Sequence, residues 1–143
     1  MVLCILNAFY YCDNLESIEI PDNVTNIGAY AFYDCFKIAS VEISNKVKSI
    51  GDYAFYNCVS LVKLTVPASV SDIGERAFGI YFDGYAQEDK NVETFEVNGI
   101  KGTATEVYAE ENGLRTICLT DHFWDETVDG ASRWYTPQNY DHV

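Results

Sequence analysis

The sequence holds two histidines, His122 and His142, both close to its C-terminal end. No Ser-His-Asp or Cys-His arrangement can be drawn from the body of the chain, which leaves nucleophilic catalysis without a basis there. Asp121, Asp125, Glu126 and Asp129 crowd together with Gly130. They lack the alternating spacing and the late bidentate Glu of an EF-hand loop, and a solvated acidic tail is the plainer reading. The cysteines are Cys4, Cys12, Cys35, Cys58 and Cys118, an odd number that leaves at least one thiol unpaired. Cys12, Cys35 and Cys58 are 23 residues apart, which matches no zinc-ligand spacing. These residues imply no enzyme, no cofactor and no metal.

The step of 23 is shared by several other columns. Ala-Phe pairs recur at Ala8-Phe9, Ala31-Phe32, Ala54-Phe55 and Ala77-Phe78. Gly28, Gly51 and Gly74 keep the same step, as do Ile27, Ile50 and Ile73, and Val24, Val47 and Val70. Such periodicity is the signature of a solenoid, in which each unit buries its apolar face only against its neighbours. Within a unit, Ile18 and Ile20 alternate with Ser17 and Glu19, the period of a strand with one buried face. Pro21 ends that strand, having no N–H to offer, and Ser44 replaces it in the second unit. Val24 and Ile27 open a second extended leg, and Gly28 is expected to permit a bend. Ala31 to Cys35 is too short for a stable α-helix and suits a helical or 3₁₀ turn.

The expected fold is therefore a right-handed repeat solenoid of parallel β-strands with short helical or 3₁₀ turns and a C-terminal helix-strand cap. Its inward ladders are expected to be Ile18/Val41/Leu64/Phe95, Ile20/Ile43/Val66/Val97 and Phe9/Phe32/Phe55/Phe78. In this packing the Cys column behaves as small buried hydrophobes, with free thiols rather than disulfides, since stacked side chains point alike.

The motif carried by Leu15 to Ile20-Pro21, Val24, Ile27-Gly28 and Ala31-Phe32…Cys35 resembles the BspA-like (type 5) leucine-rich repeat, over residues 8–97. The resemblance implies a curved solenoid within a larger, extracellular or cell-surface bacterial protein that binds host or neighbouring-cell proteins. Related repeats occur in some parasitic protists, and the family has no catalytic residues to carry over. The fourth unit departs from the pattern, lacking the Cys and carrying an insertion within residues 79–90. The segment Gly102-Thr-Ala-x-x-x-Tyr-Ala-x-x-Asn-Gly113 looks like the terminal unit common in such proteins.

The chain then divides into a decayed or truncated unit at 1–7, repeats at 8–98, a capping unit at 99–119, and a polar tail or start of a further domain at 120–143. Cys4 stands where the preceding unit's Ile is due and Ile5 where its Gly is due, so the first rung is expected to be uncapped. A bare rung implies that the chain is a fragment or that another chain pairs with this end. The N-terminus has no basic leader and does not read as a signal peptide. Thr103 and Glu106 are spaced as a capping box for a helix through about Asn112, with Gly113 at its C′ position. Leu114 to Leu119 is expected to return as a strand.

A formal charge of −13 repels phosphate backbones and anionic lipid, so nucleic-acid binding is unfavoured. No apolar window of ~18 residues offers membrane insertion. What binds must be sought where the repeat leaves residues free. One candidate surface is the tyrosine ladder Tyr10, Tyr33 and Tyr56, flanked by Tyr30 and Tyr53, because aromatics are enriched at interfaces. The same rings could instead pack on one another and seal the core edge. The second is the outward strand face, Ser17/Ser40/Lys63/Thr94 and Glu19/Glu42/Thr65/Glu96, which could meet a basic partner or remain a solvated sheet. The third is the insertion, with Tyr81, Phe82 and Tyr85, which either reaches a ligand or covers the core edge. The function that fits is non-enzymatic protein–protein interaction or adhesion. Carbohydrate binding through the tyrosines and the insertion, or a spacer that presents another domain, are the alternatives.

Overall fold

The computed structural model describes residues 3–5 and 9–118. His122, His142 and the Asp121–Gly130 cluster lie outside them, as do the side chains of Cys4 and Cys118. In chain order the strands are β1 (Leu3–Ile5), β2 (Ser17–Ile20), β3 (Val24–Ile27), β4 (Ser40–Ile43), β5 (Ser49–Ile50) and β6 (Lys63–Thr65). Then follow β7 (Asp72–Ile73), β8 (Ile80–Asp83), β9 (Glu88–Asn91), β10 (Glu96–Gly99), the helix α1 (Ala104–Asn112) and β11 (Arg115–Cys118).

Each unit winds one turn of a parallel solenoid. The first legs stack as β2-β4 and as β6-β10-β11, and the second legs as β1-β3-β5-β7. Every one of these pairs is parallel, and Ile18 faces Val41, Glu19 faces Glu42 and Ile27 faces Ile50. The turn between the two legs is the same with or without proline. The N–H groups of Val24, Val47 and Val70 donate to Pro21, Ser44 and Pro67 carbonyls at 3.0, 3.1 and 3.1 Å. At Ser44 the hydroxyl also accepts the Lys46 N–H, so a side-chain turn replaces the fixed proline dihedral.

The third leg consists of successive i→i+3 turns: Ala31 N–H to Gly28, Tyr33 to Tyr30 and Cys35 to Phe32. Left-handed residues, Tyr30 at φ 59° and Asp34 at φ 60°, separate these into single turns rather than one 3₁₀ run. Their 23-residue counterparts, Tyr53, Arg76, Tyr11 and Asn57, are left-handed as well. The positive-φ glycines are Gly79, Gly102 and Gly113, outside the repeated glycine column. The bend expected of Gly28 is thus not what selects glycine there. At Gly51 an added Cβ would lie 2.5 Å from the Ala29 nitrogen, so the column permits close approach of one backbone to the next.

Phe32, Phe55 and Phe78 are fully buried, with Cys35, Cys58, Ile38 and Leu61 beside them. Phe9–Phe32 and Phe32–Phe55 ring centroids are 5.0 and 4.9 Å apart with nearly parallel planes, the spacing that strand stacking imposes. Burial of each ring contributes roughly 2–3 kcal/mol, but only because the next unit covers it.

The fourth unit corrects the expected register. Val97 faces Leu64, and Glu96 faces Lys63, so Phe95 is not in the strand ladder. Phe95 instead occupies the position of Leu61: its N–H donates to Val92, as Leu61 donates to Cys58. Val92 thereby fills the cysteine column. One residue separates Phe95 from Val97, where two separate Leu61 from Leu64, and the alignment by spacing slips there. The outward columns change accordingly, to Ser17/Ser40/Lys63/Glu96 and Glu19/Glu42/Thr65/Asn98, and Thr94 leaves the ladder. The insertion is an ordered antiparallel hairpin, β8-β9.

At the N-terminal end, a register shift between Leu3 and Cys4 brings Ile5 opposite Ile27. The isoleucine column thus continues one unit further at Ile5, not at Cys4. Phe9, Cys12, Leu15 and Ile18 are only partly buried, unlike their counterparts one turn on. At the other end α1 closes the core through buried Tyr108 and Ala109. Gly113, at φ 65°, donates to the Glu110 carbonyl and ends the helix as expected. The capping box is altered: the Thr103 hydroxyl donates to Ile100, and Glu106 accepts the Gly102 N–H at 2.7 Å.

Candidate functional site

The left-handed residues at Tyr30 and Tyr53 carry their rings onto one edge of the solenoid, beside those of Tyr10, Tyr33 and Tyr56. Tyr10 and Tyr33 stack at 5.0 Å, Tyr33 and Tyr56 at 5.3 Å, and Tyr30 and Tyr53 at 5.3 Å. The two columns touch through tilted contacts, Tyr30–Tyr33 at 5.4 Å among them. Tyr11 joins edge-on to Tyr10 at 4.4 Å, a member that the repeat pattern did not reveal because its column continues as Asp34 and Asn57. Tyr56 is buried and seals the edge, whereas Tyr10, Tyr11 and Tyr30 are exposed.

The ladder ends on a polar knot. Arg76 follows Tyr53 in its column, and its guanidinium carbon lies 6.0 Å from the Tyr53 ring centroid. It is ion-paired to Glu75 and to Asp89 of β9. Asp89 also accepts the Tyr56 hydroxyl at 2.6 Å. Burial, and then this carboxylate, push the Tyr56 hydroxyl well above the ordinary phenol range. Hydrogen bonding to Tyr10 and then to Asp34 raises Tyr11 to about 12. Both of these hydroxyls are therefore neutral at physiological pH. Beside Arg76 a cleft of about 530 Å³ opens between the fourth turn, the hairpin and α1, lined by Glu75, Asn91 and Glu111 among others.

The hairpin is fixed to this edge by Asn57, which takes the Phe82 N–H at 2.7 Å and donates to Asp34 at 2.6 Å. Asp83 organises its turn, accepting the Tyr85 and Ala86 N–H groups and Lys90 at 2.7 Å. Lys90 and those N–H groups hold the Asp83 carboxyl below its usual value. Tyr81 is half-buried, Phe82 is exposed, and Tyr85 projects fully into solvent. Arg76, Asp89, Asp34 and Asn57 were missed by sequence reasoning. The step of 23 from Tyr53 to Arg76 and from Asp34 to Asn57 could have found two of them.

The strand face offers less. Glu19 and Glu42 are exposed side by side, but Glu96 stands in the serine column and pairs with Arg115 at 2.7 Å. Among the described residues, no group of three or more His, Cys, Asp or Glu is placed to hold a metal. Likewise, no helix among them is long and apolar enough to cross a membrane.

The cysteine column has a structural task. Cys35 donates to the Phe9 carbonyl at 3.0 Å and Cys58 to the Phe32 carbonyl at 3.1 Å, tying each turn to the one before. Both thiols are free and buried, and Cys12 is free and half-buried. Burial raises Cys35 from 9.0 to about 11 and Cys58 further. Its folded value being the higher, the neutral Cys35 thiol contributes stability in full below pH 9, and that contribution is lost as pH rises through about 11. In the native protein at about pH 8, Cys35 and Cys58 are expected to resist DTNB and to react only on denaturation. Site-resolved mass spectrometry showing Cys58 labelled as fast in native as in denatured protein would contradict this.

These columns, ladders and terminal helix define a leucine-rich repeat solenoid, a class of scaffold that ordinarily serves protein interaction. The BspA type leucine-rich repeat region matches residues 6–117 in six copies, and the chain belongs to that family. The family pattern thus runs through the expanded fourth unit and α1 into β11. Among solved structures, a leucine-rich repeat protein from Bacteroides ovatus is similar at 23% identity and TM-score 0.48, over 80% of this chain and 30% of that one. A T. pallidum leucine-rich repeat protein is similar at 21% identity and TM-score 0.46, over 94% of this chain and 61% of that one. The chain thus spans less than two thirds of either. No curated protein matches it significantly.

Proposed function

We propose that this chain is a non-enzymatic adhesion module of a bacterial cell-surface or secreted protein, holding a protein partner on the tyrosine edge and the adjoining hairpin. The observation that carries this reading is the exposed part of the stacked tyrosine edge, Tyr10, Tyr11 and Tyr30, on the same edge as a hairpin that projects Phe82 and Tyr85. Stacking fixes these rings before any partner arrives, so little rotamer entropy is lost on binding. Tyrosine adds a hydroxyl to each large apolar contact, the composition of interface hot spots. The family membership supports protein interaction, and surface exposure is the setting in which such repeats are typically found.

The test is binding of the intact chain, by biolayer interferometry, to bacterial cells and to a panel of extracellular matrix proteins. For any binder found, the Tyr10→Ser/Tyr30→Ser double variant is expected to lose affinity about tenfold or more. Loss instead in Glu19→Gln/Glu42→Gln, with the tyrosine variant binding normally, would move the site to the strand face and refute the reading. Unchanged circular dichroism of both variants keeps folding out of the comparison.

A further inference from the structure

Where each unit leaves its third leg, the chain makes the same two-residue turn. The N–H groups of Leu15, Ile38, Leu61 and Phe95 donate to the carbonyls of Cys12, Cys35, Cys58 and Val92, at 3.2, 3.3, 3.1 and 2.9 Å. Each bond encloses a pair of exposed residues: Asp13-Asn14, Phe36-Lys37, Val59-Ser60 and Glu93-Thr94. The Ser60 hydroxyl also donates to the Phe36 carbonyl at 2.6 Å, which ties the two inner turns together. The first residues of these turns therefore form one column along a corner of the solenoid: Asp13, Phe36, Val59, Glu93. Turn tips ordinarily carry small or polar residues. The inner two are instead apolar, Phe36 being 44% and Val59 43% exposed, and Val62 on the rung of Val59 is 44% exposed. Both inner rungs lie between rungs of the same chain, so this exposure belongs to the corner and not to an end of the array. Contiguous apolar groups held in water add nothing to the core, and they mark contact surfaces.

We propose that this corner docks an extended segment of a partner protein in which alternate residues are basic, large apolar and basic. The apolar residue packs on Phe36 and Val59, and the basic residues lie toward the turns of Asp13 and Glu93. Rungs about 4.8 Å apart put those outer turns about 14 Å from each other. An extended strand covers that distance in about four residues, with alternate side chains on one side. The outer carboxylates decide against a second copy as the occupant. Laid on itself in either direction, the column would set Asp13 and Glu93 against carboxylates. Lys37 follows Phe36 and Lys63 follows Val62, both exposed, so a run of consecutive basic residues would meet like charge. Alternation with neutral residues avoids it. This corner shares no residue with the tyrosine edge, and its binding is measured apart from it.

The experiment is an amide NMR titration of the full chain with short peptides, up to about 5 mM. The first peptide reads Lys-Ser-Leu-Ser-Lys, and two controls replace its leucine by serine or both lysines by glutamate. The first is expected to shift the amides of Phe36, Lys37, Val59 and Ser60, with a Kd on the order of 1 mM. Both controls should bind about tenfold more weakly or not at all. Phe36→Ser/Val59→Ser should weaken the first peptide about tenfold. Asp13→Asn/Glu93→Gln should weaken it about threefold and flatten its dependence on salt between about 20 and about 150 mM NaCl. This second pair leaves the apolar tips in place and keeps the test informative if the serine pair alters the circular dichroism. Tyr10→Ser/Tyr30→Ser should leave the peptide's affinity unchanged.

Equal binding of the leucine and serine peptides, or shifts centred on Glu19 and Glu42, would mean general charge attraction and overturn the proposal. So would equal binding of the glutamate peptide, or no shift at about 5 mM of the first. Concentration-dependent broadening at Phe36 and Val59 in the chain alone, lost in Phe36→Ser/Val59→Ser, would make the occupant a second copy and overturn it as well.

Discussion

Gly51→Ala is expected to destabilise the fold by about 3 kcal/mol or more, shifting the thermal midpoint down by roughly 10 °C. The added methyl would meet the Ala29 nitrogen at 2.5 Å, the Gly28 carbonyl carbon at 2.8 Å and the Ala29 Cα at 2.9 Å. All three are main-chain atoms and cannot swing aside as a side-chain tip would. The two turns can separate only by lengthening the bonds that join them, Gly51 N–H to Ile27 and Tyr30 N–H to Asp52, at 2.7 and 3.0 Å. Because each unit is stable only against its neighbours, loosening one junction weakens the array on both sides. Gly84→Ala is the control. It sits at the hairpin turn with nothing within 4 Å and without a positive φ, and alanine there should be neutral or stabilise by ~0.5 kcal/mol. Urea unfolding followed by far-ultraviolet circular dichroism measures both. A Gly51→Ala midpoint equal to that of Gly84→Ala would show that the solenoid accommodates the methyl freely.

The glycine column was plain in the sequence, and its cause was not. Spacing reports that a position is restricted, but bend and close approach leave the same trace. The true left-handed positions in the repeats hold mostly tyrosine and arginine, which no turn rule singles out, beside Asp34 and Asn57, whose residue types tolerate that conformation. Parallel pairing, the Phe and Cys columns and the closing helix were legible because each rests on several residues in one register. The fourth unit was misread at Phe95 because Val92, Phe95 and Val97 are all apolar, so any of them satisfies a pattern that asks only for an apolar side chain. What distinguishes them is the Phe95–Val92 hydrogen bond and the missing residue before Val97, which are facts of backbone geometry. The hairpin was hidden for another reason. Its second strand, Glu88–Asn91, is wholly polar and is held by Asp83, Lys90 and the Asp89–Arg76 pair rather than by an apolar face. The candidate tyrosines stand out as a ladder, but the burial of Tyr56 depends on Asp89 and the hairpin, which the repeat pattern does not show.

Tyr108→Phe is expected to cost about 2–4 kcal/mol, much for the loss of one oxygen atom. In the regular turns, the N–H groups of Phe9, Phe32 and Phe55 donate to Ala31, Ala54 and Ala77 of the following unit at 2.8, 2.7 and 2.7 Å. The Phe9 and Phe32 carbonyls accept the thiols of Cys35 and Cys58. Phe78 belongs to the last such turn and has no following unit in that position. Tyr108 meets both needs: its hydroxyl accepts the Phe78 N–H at 3.0 Å and donates to the Phe78 carbonyl at 2.8 Å. Its ring covers Phe78 at 4.4 Å, as the next phenylalanine would. The helix therefore ends the solenoid by reproducing the hydrogen bonds of a further repeat through one side chain. Removing the hydroxyl leaves a donor and an acceptor without partners in a site where Tyr108 is 5% exposed. Burial, the leading cause, lifts this hydroxyl from 10.0 to about 12, so its contribution is whole below pH 10 and is lost as pH rises through 12. Denaturant midpoints of Tyr108→Phe and the native protein measure the loss. Amide exchange at Phe78, accelerated in the variant while that at Phe32 is little changed, assigns the loss to this contact. An unchanged midpoint with Phe78 still protected would show that the helix closes the core by ring packing alone.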